Sequence, residues 1–141
     1  MKIGFISEIN NFTLKDKRKL EHWIQSVIDK ENRQLEIIEI IFVDSNTIQE
    51  INVKYLNHNY PTDIITFNKS FLNSIAGEIY ISIDVVKENS KKFSKKSFEN
   101  ELNRVIIHGV LHLIGYDDVS EEQKSVMRKK ENESLSYLEK L

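Results

Sequence analysis

Glu78-Ile79-Tyr80-Ile81-Ser82-Ile83-Asp84-Val85-Val86 is the stretch on which the fold turns. Up to Ile83 the isoleucines alternate with Glu78, Tyr80 and Ser82, the period of a half-buried β-strand. From Asp84 the apolar residues fall at helical spacing, and they keep that spacing to the end of the chain. All the expected strands therefore lie before this point, and only helices are expected after it. That order predicts an α+β domain in which a small four-stranded mixed sheet is covered by about five helices.

Upstream, Lys2 to Ser7 reads as a first strand, and Leu20, Trp23, Ile24, Val27 and Ile28 define a helix from about Thr13 to Lys30. Glu36 to Val43, rich in Ile, Phe and Val, reads as a buried strand. The order strand–helix–strand favours a right-handed crossover near the N-terminus. Asp44, Ser45 and Asn46 offer capping oxygens to a helix carrying Ile48, Ile51 and Tyr55. Pro61, the only proline, marks a break before a short strand from Asp63 to Phe67. Downstream, a short helix carries Val85, Val86 and Asn89. A longer one, from about Ser97 to Ile114, places Phe98, Leu102, Val105, Ile106 and Leu113 on its apolar faces, and Gly115 is set to stop it. Ser120 with Gln123 suits a capping box for a last helix bearing Val126, Leu135 and Leu138.

The 141 residues are enough for one domain with a real core, and no repeat or Pro/Gly-rich linker suggests a boundary within 1–141. Hydrophobic residues at 40% and charged residues at 30% fit a soluble globular chain. Cysteine is absent, so disulfides and thiolate metal sites are excluded. The first residues are too briefly apolar for a secretory signal, and Val105 to Ile114 is too short to span a bilayer, so no membrane partner is expected and the cytosol is the expected address. With a formal net charge of −2, nucleic acid can be attracted only by local patches. One runs from Lys87 through Lys91, Lys92, Lys95 and Lys96 to Arg104, and a second comprises Lys124, Arg128, Lys129 and Lys130. By pattern alone both read as solvated helix faces.

The chemistry is concentrated in His108-Gly109-Val110-Leu111-His112-Leu113-Ile114-Gly115-Tyr116-Asp117-Asp118. Histidines four apart on a helix share a face and sit one turn apart, so both imidazoles can reach one ion at Zn–N distances of about 2.0–2.1 Å. Once Gly115 ends the helix, a carboxylate of the Asp117-Asp118 pair can close the triangle. Two histidines and one carboxylate leave a position open for water, as in catalytic zinc sites. The competing account is a pair of packed core histidines. Against it stand the apolar surroundings, in which buried imidazoles need partners, and two glycines that weaken the helix unless backbone or ligand comes close. Zinc is the expected ion, and the same donors suit iron(II), nickel or manganese.

A zincin peptidase would carry its general base directly after the first histidine, where this chain has Gly109. The segment instead resembles the His-Gly-x-Leu-His-Leu-x-Gly-Tyr-Asp-His signature of the YbeY family of bacterial endoribonucleases. Ile51 to Tyr55, Pro61 to Phe67, Gly77 to Ser82, and Glu131 in the last helix match further blocks of that family. The resemblance implies a metal-dependent endoribonuclease selective for single-stranded RNA. It also implies a role on the small ribosomal subunit, in maturing the 3′ end of 16S ribosomal RNA and in ribosome quality control, without a small-molecule cofactor.

Carried over by position, His108, His112 and Asp118 become the metal ligands, with Asp118 where the family usually has a third histidine. A second departure is Leu56, where the family has an arginine after the tyrosine matched by Tyr55. Arg104, one turn before His108, is the expected substitute cation, although an ion pair with Glu101 or another carboxylate would explain it equally. Asp117 or Asp63 is expected to orient the attacking water or to hold a ligand imidazole. Structural duties, a helix-stop turn and a loop hydrogen bond, account for them as well. Trp23 and the other aromatics read as core, His22 and His58 as surface residues. The alternative function is a non-catalytic, ribosome-associated metal-binding factor.

Overall fold

The computed structural model describes residues 2–58, 62–92 and 97–141. The expected break at Pro61, and Lys95 and Lys96 of the first basic patch, lie outside the described residues. The elements run β1 (Ile3–Ser7), α1 (Lys17–Lys30), β2 (Gln34–Val43), α2 (Ser45–Leu56), β3 (Ile64–Asn68), β4 (Ser74–Ser82), α3 (Ile83–Lys92), α4 (Phe98–Ile114) and α5 (Glu121–Glu139). The sheet order is β1-β2-β4-β3. β2 pairs in parallel with both β1 and β4, and β3 is antiparallel to β4. Among the described residues this is the small four-stranded mixed sheet covered by about five helices that the order of elements predicts.

Alternation along the strands sorts the side chains onto two faces. Ile3, Ile38, Ile40, Phe42, Ile79 and Ile81 enter the main core with the buried residues of α1, α3, α4 and α5. The opposite face is covered by α2, where Ile48 closes a smaller cluster with Ile41, Val43 and Ile65. Asp44 caps α2 by accepting from the Thr47 amide at 2.8 Å. Trp23 is fully buried and donates its indole N–H to the Ser134 carbonyl at 2.8 Å. It is core, as expected, whereas Tyr55 and Phe71 are exposed aromatics.

α4 carries the histidine pair through the middle of this core. Ile106, Ile107 and Val110 have no exposed surface, so the helix is apolar nearly all round, as a helix enclosed by other elements is. The glycines were expected to mark close approach by backbone or ligand; at Gly109 what comes close is instead the isoleucine side chains of the sheet. A Cβ on Gly109 would lie 2.9 Å from both Ile64 Cδ1 and Ile79 Cγ2. Across from it, a Cβ on Gly77 of β4 would meet the Phe67 carbonyl oxygen at 2.5 Å and Leu113 Cδ2 at 2.8 Å. Small residues at both positions let α4 press onto β3 and β4. Among the described residues, no helix is long and apolar enough to cross a membrane.

Candidate metal centre

The last two turns of α4 set His108 and His112 side by side, their Nε2 atoms 3.1 Å apart. Gly115, with φ of 123°, then turns the chain back, and Asp118 brings Oδ2 to 3.3 Å from His108 Nε2 and 3.6 Å from His112 Nε2. All three ligand atoms lie within 4.8 Å of one another. A tetrahedral ion bonded at about 2.0–2.1 Å has donor–donor edges of about 3.3–3.4 Å. The observed edges bracket that length, so the three side chains fit a metal ion.

The triangle is held from several sides. Asn68 Nδ2 donates to the His112 carbonyl at 3.3 Å, Ser70 Oγ to the Leu113 carbonyl at 3.1 Å, and Arg33 Nη2 to the Ile114 carbonyl at 2.9 Å. The free carbonyls of the α4 terminus are thereby satisfied, as a buried helix end requires. The negative end of the helix dipole falls beside the cluster, where positive charge is favoured. Beyond Gly115, the Tyr116 hydroxyl donates to Glu31, whose other oxygen is 3.3 Å from Lys130 Nζ. Ser120 and Gln123 then form a full capping box at the start of α5. Asp118 therefore sits in a loop pinned at both ends.

Behind the triangle, Glu131 of α5 accepts from His108 Nδ1 at 2.7 Å while its other oxygen accepts from Arg104 Nη1 at 2.8 Å. A carboxylate can only accept, so the Nδ1 proton points inward and His108 Nε2 turns its lone pair to the ligand position. Burial would raise the Glu131 carboxyl, but the hydrogen bonds and charges of His108 and Arg104 outweigh it and hold the group below its ordinary range. Burial would likewise depress the His108 imidazolium. The bond to Glu131 and the charges of Glu131, Asp118 and Asp63 reverse this and push its pKa up. The surrounding carboxylates thus favour positive charge at His108.

The remaining expected residues are distributed as follows. Arg104 is only 17% exposed and both arms of its guanidinium are engaged, the second with Asn132 Oδ1 at 2.9 Å. Its ion-pair partner is Glu131 and not Glu101. Asp63 precedes β3, half-buried, with its carboxyl pushed up by desolvation and partly drawn back by the nearby His108 charge. Asp117 is exposed and has no polar partner among the described residues. Leu56 ends α2 with its side chain partly in solvent. His22 and His58 are exposed, as expected. The role of Glu131 was missed by sequence reasoning. The signal available was its position on the apolar stripe of α5, one turn from Met127 and from Leu135, where an acid must find partners.

Fold and site together define a single-domain α+β protein with a His₂-carboxylate cluster able to hold a metal ion. Comparison with known proteins narrows this class. The profile of the family described as Endoribonuclease YbeY matches residues 6–139. An Endoribonuclease YbeY of Karelsulcia muelleri is 48% identical over 92% of this chain and 91% of its own. That of Flavobacterium psychrophilum is 47% identical, covering 94% of each. The solution structure of TM1509 from Thermotoga maritima superposes with a TM-score of 0.66 at 29% identity, covering 96% of this chain and 88% of the other. The chain belongs to the endoribonuclease YbeY family.

Proposed function

We propose that the protein is a zinc-dependent endoribonuclease that cuts single-stranded RNA, acting in the cytosol on the small ribosomal subunit, in 3′-end maturation of 16S ribosomal RNA and in ribosome quality control. The observation that carries this reading is the metal-sized triangle of His108, His112 and Asp118 in a chain of an endoribonuclease family. Zinc is the first choice for a set of two nitrogen donors and one oxygen donor with an open position, and iron(II), nickel and manganese suit the same donors.

When bound, the ion would supply Lewis acidity toward a phosphate oxygen and a water of lowered pKa. Everything else falls to the chain. His108 and His112 present Nε2 lone pairs, and Glu131 fixes the His108 tautomer from behind. Asp118 adds the anionic donor. Arg104 acts through Glu131, as a positioning residue and not as a contact to substrate. Of the two carboxylates expected to orient the attacking water, Asp63 has the better setting. Its half-buried carboxyl, with a raised pKa, lies within the electrostatic reach of His108 and can take a proton at its oxygen. Asp117 is the exposed second candidate. Preference for RNA would follow from contacts to the 2′-hydroxyl, and preference for single strands from unstacked bases.

A second reading has an observation in its favour. Leu56 offers no cation, and the guanidinium of Arg104 is already engaged. A non-catalytic, ribosome-associated metal-binding factor would need neither. The test is incubation of the zinc-loaded and chelator-treated protein with single-stranded and duplex RNA. Cleavage of the single strand alone, abolished by chelation, supports the enzyme. Intact RNA together with co-sedimentation on small subunits would favour the factor.

A further inference from the structure

We propose that Arg128, with Lys124 one turn before it, forms the phosphate-binding strip against which single-stranded RNA lies beside the metal cluster. The inference rests on the endoribonuclease reading and deepens it by naming the residues that hold the backbone. α5 starts directly after the loop carrying Asp118, and three turns on it brings Glu131 to the other nitrogen of the same His108 ring. Its first turns therefore run alongside the cluster. On the inner side of that stretch Met127 and Glu131 are buried. On the outer shoulder the side chains of Lys124 and Arg128 are 56% and 64% exposed.

The two guanidiniums near Glu131 differ in kind. Arg104 bonds Glu131 Oε1 at 2.8 Å and is enclosed. Arg128 approaches the same oxygen at 3.5 Å, its one polar side-chain contact among the described residues, and keeps most of its N–H donors in solvent. One carboxylate cannot neutralise both, so Arg104, Arg128 and Glu131 together leave one positive charge, carried by the exposed member. The Glu131 carboxylate thus touches both the Arg128 guanidinium and the His108 imidazole.

Lys124 pairs with Glu121 at 3.7 Å, but both ends are exposed. Such a pair is worth little and exchanges readily for a phosphate. The planar fork of Arg128 can take a phosphate bidentately, with Lys124 as a point charge for its neighbour. The facing charges also limit the site. Glu121 and Glu122 make the first turn of α5 acidic, and Asp117 and Asp118 precede it. The strip is therefore narrow, in keeping with a chain of formal net charge −2. It suits the backbone of one strand at one place better than broad binding of a duplex. Pattern alone made Lys124 and Arg128 a solvated face. Their place on α5 beside His108 gives them this duty.

The test is binding of a fluorescent single-stranded oligoribonucleotide, followed by anisotropy across a salt series, for the full chain with and without zinc. Wild type is compared with R128Q, K124Q, the double variant and R128K. Each glutamine variant should weaken binding about tenfold, the cost of losing a hydrogen bond between charged groups. Each should also flatten the plot of log affinity against log salt by about 0.7, and the double variant by about twice that. R128K should keep the wild-type slope. Zinc content should stay at wild type in R128Q, because Arg104 still holds Glu131, while the KM for RNA cleavage rises. If wild type binds RNA and the variants keep its affinity and slope, the strip is overturned and the endoribonuclease reading stands. If wild type neither binds nor cuts RNA, that reading falls and the strip falls with it.

Discussion

Glu131→Gln separates metal positioning from mere stability. Glu131 is buried, its side chain 7% exposed, and its carboxylate accepts from His108 Nδ1 at 2.7 Å and Arg104 Nη1 at 2.8 Å. Glutamine keeps the shape but has one acceptor in place of two. If its oxygen faces His108, its amide N–H groups oppose the Arg104 donors. If it turns round, His108 loses the acceptor that holds the proton on Nδ1, and the tautomer with a proton at the metal-facing nitrogen becomes favoured. Loss of such a supporting partner typically lowers metal affinity 10- to 100-fold, or about 1.4–2.7 kcal/mol. The stranded Arg104 adds a stability cost of about 3 kcal/mol, the low end for breaking a buried pair, because Asn132 still accepts its other arm. Adding R104M to E131Q should recover much of that stability without restoring affinity. Zinc competition against a chromophoric chelator reads the first quantity and urea unfolding the second. E131Q that binds zinc within twofold of wild type would refute the positioning argument.

Three further outcomes follow from packing, capping and linkage. Gly77→Ala should cost about 1–3 kcal/mol or more, since its Cβ meets the Phe67 backbone oxygen, and should cost more than Gly109→Ala, whose Cβ meets isoleucine side chains and not backbone and gains helix propensity; equal urea midpoints for the two would contradict this. Asp44→Ala should remove about 1 kcal/mol at neutral pH by loss of the cap on α2. The Thr47 amide lowers the Asp44 pKa from the ordinary 3.8. That stabilisation is complete above pH 4 to 5 and fades as the pH falls through the native pKa, so wild type and variant should converge in acid unfolding curves. Free zinc at about 100 times its Kd should stabilise the native chain by about 2.7 kcal/mol, reversed by chelator; a melting temperature indifferent to both would count against a native-state site.

Much of this fold was legible because its long elements are strongly periodic. α4 is capped by Ser97 and stopped by Gly115, where the residue types predict. The shorter boundaries moved for local reasons. α1 begins at Lys17 and not near Thr13, because Asp16 takes a left-handed conformation with φ of 58°. β4 begins at Ser74, four residues before the expected Glu78, since Ser74, Ala76 and Gly77 carry no alternation to read although they pair with β2. β2 likewise starts at Gln34, and the irregular register between Leu35 and Ile37 hides its period. Ile83, expected to end the strand, opens α3. In the site, the His108–His112 pair is local and was visible from spacing. The contacts of Glu131 with His108 and Arg104 depend on how α5 packs against α4, which no local pattern encodes.

The most direct measurement is zinc per chain by mass spectrometry on untagged protein, for wild type, His112→Ala and Asp118→Ala, with single-strand RNA cleavage measured on the same samples. One ion per wild-type chain, lost together with cleavage in both variants, is the result this account predicts. Wild type that holds no metal after zinc reconstitution, or cuts RNA equally well without it, would contradict it.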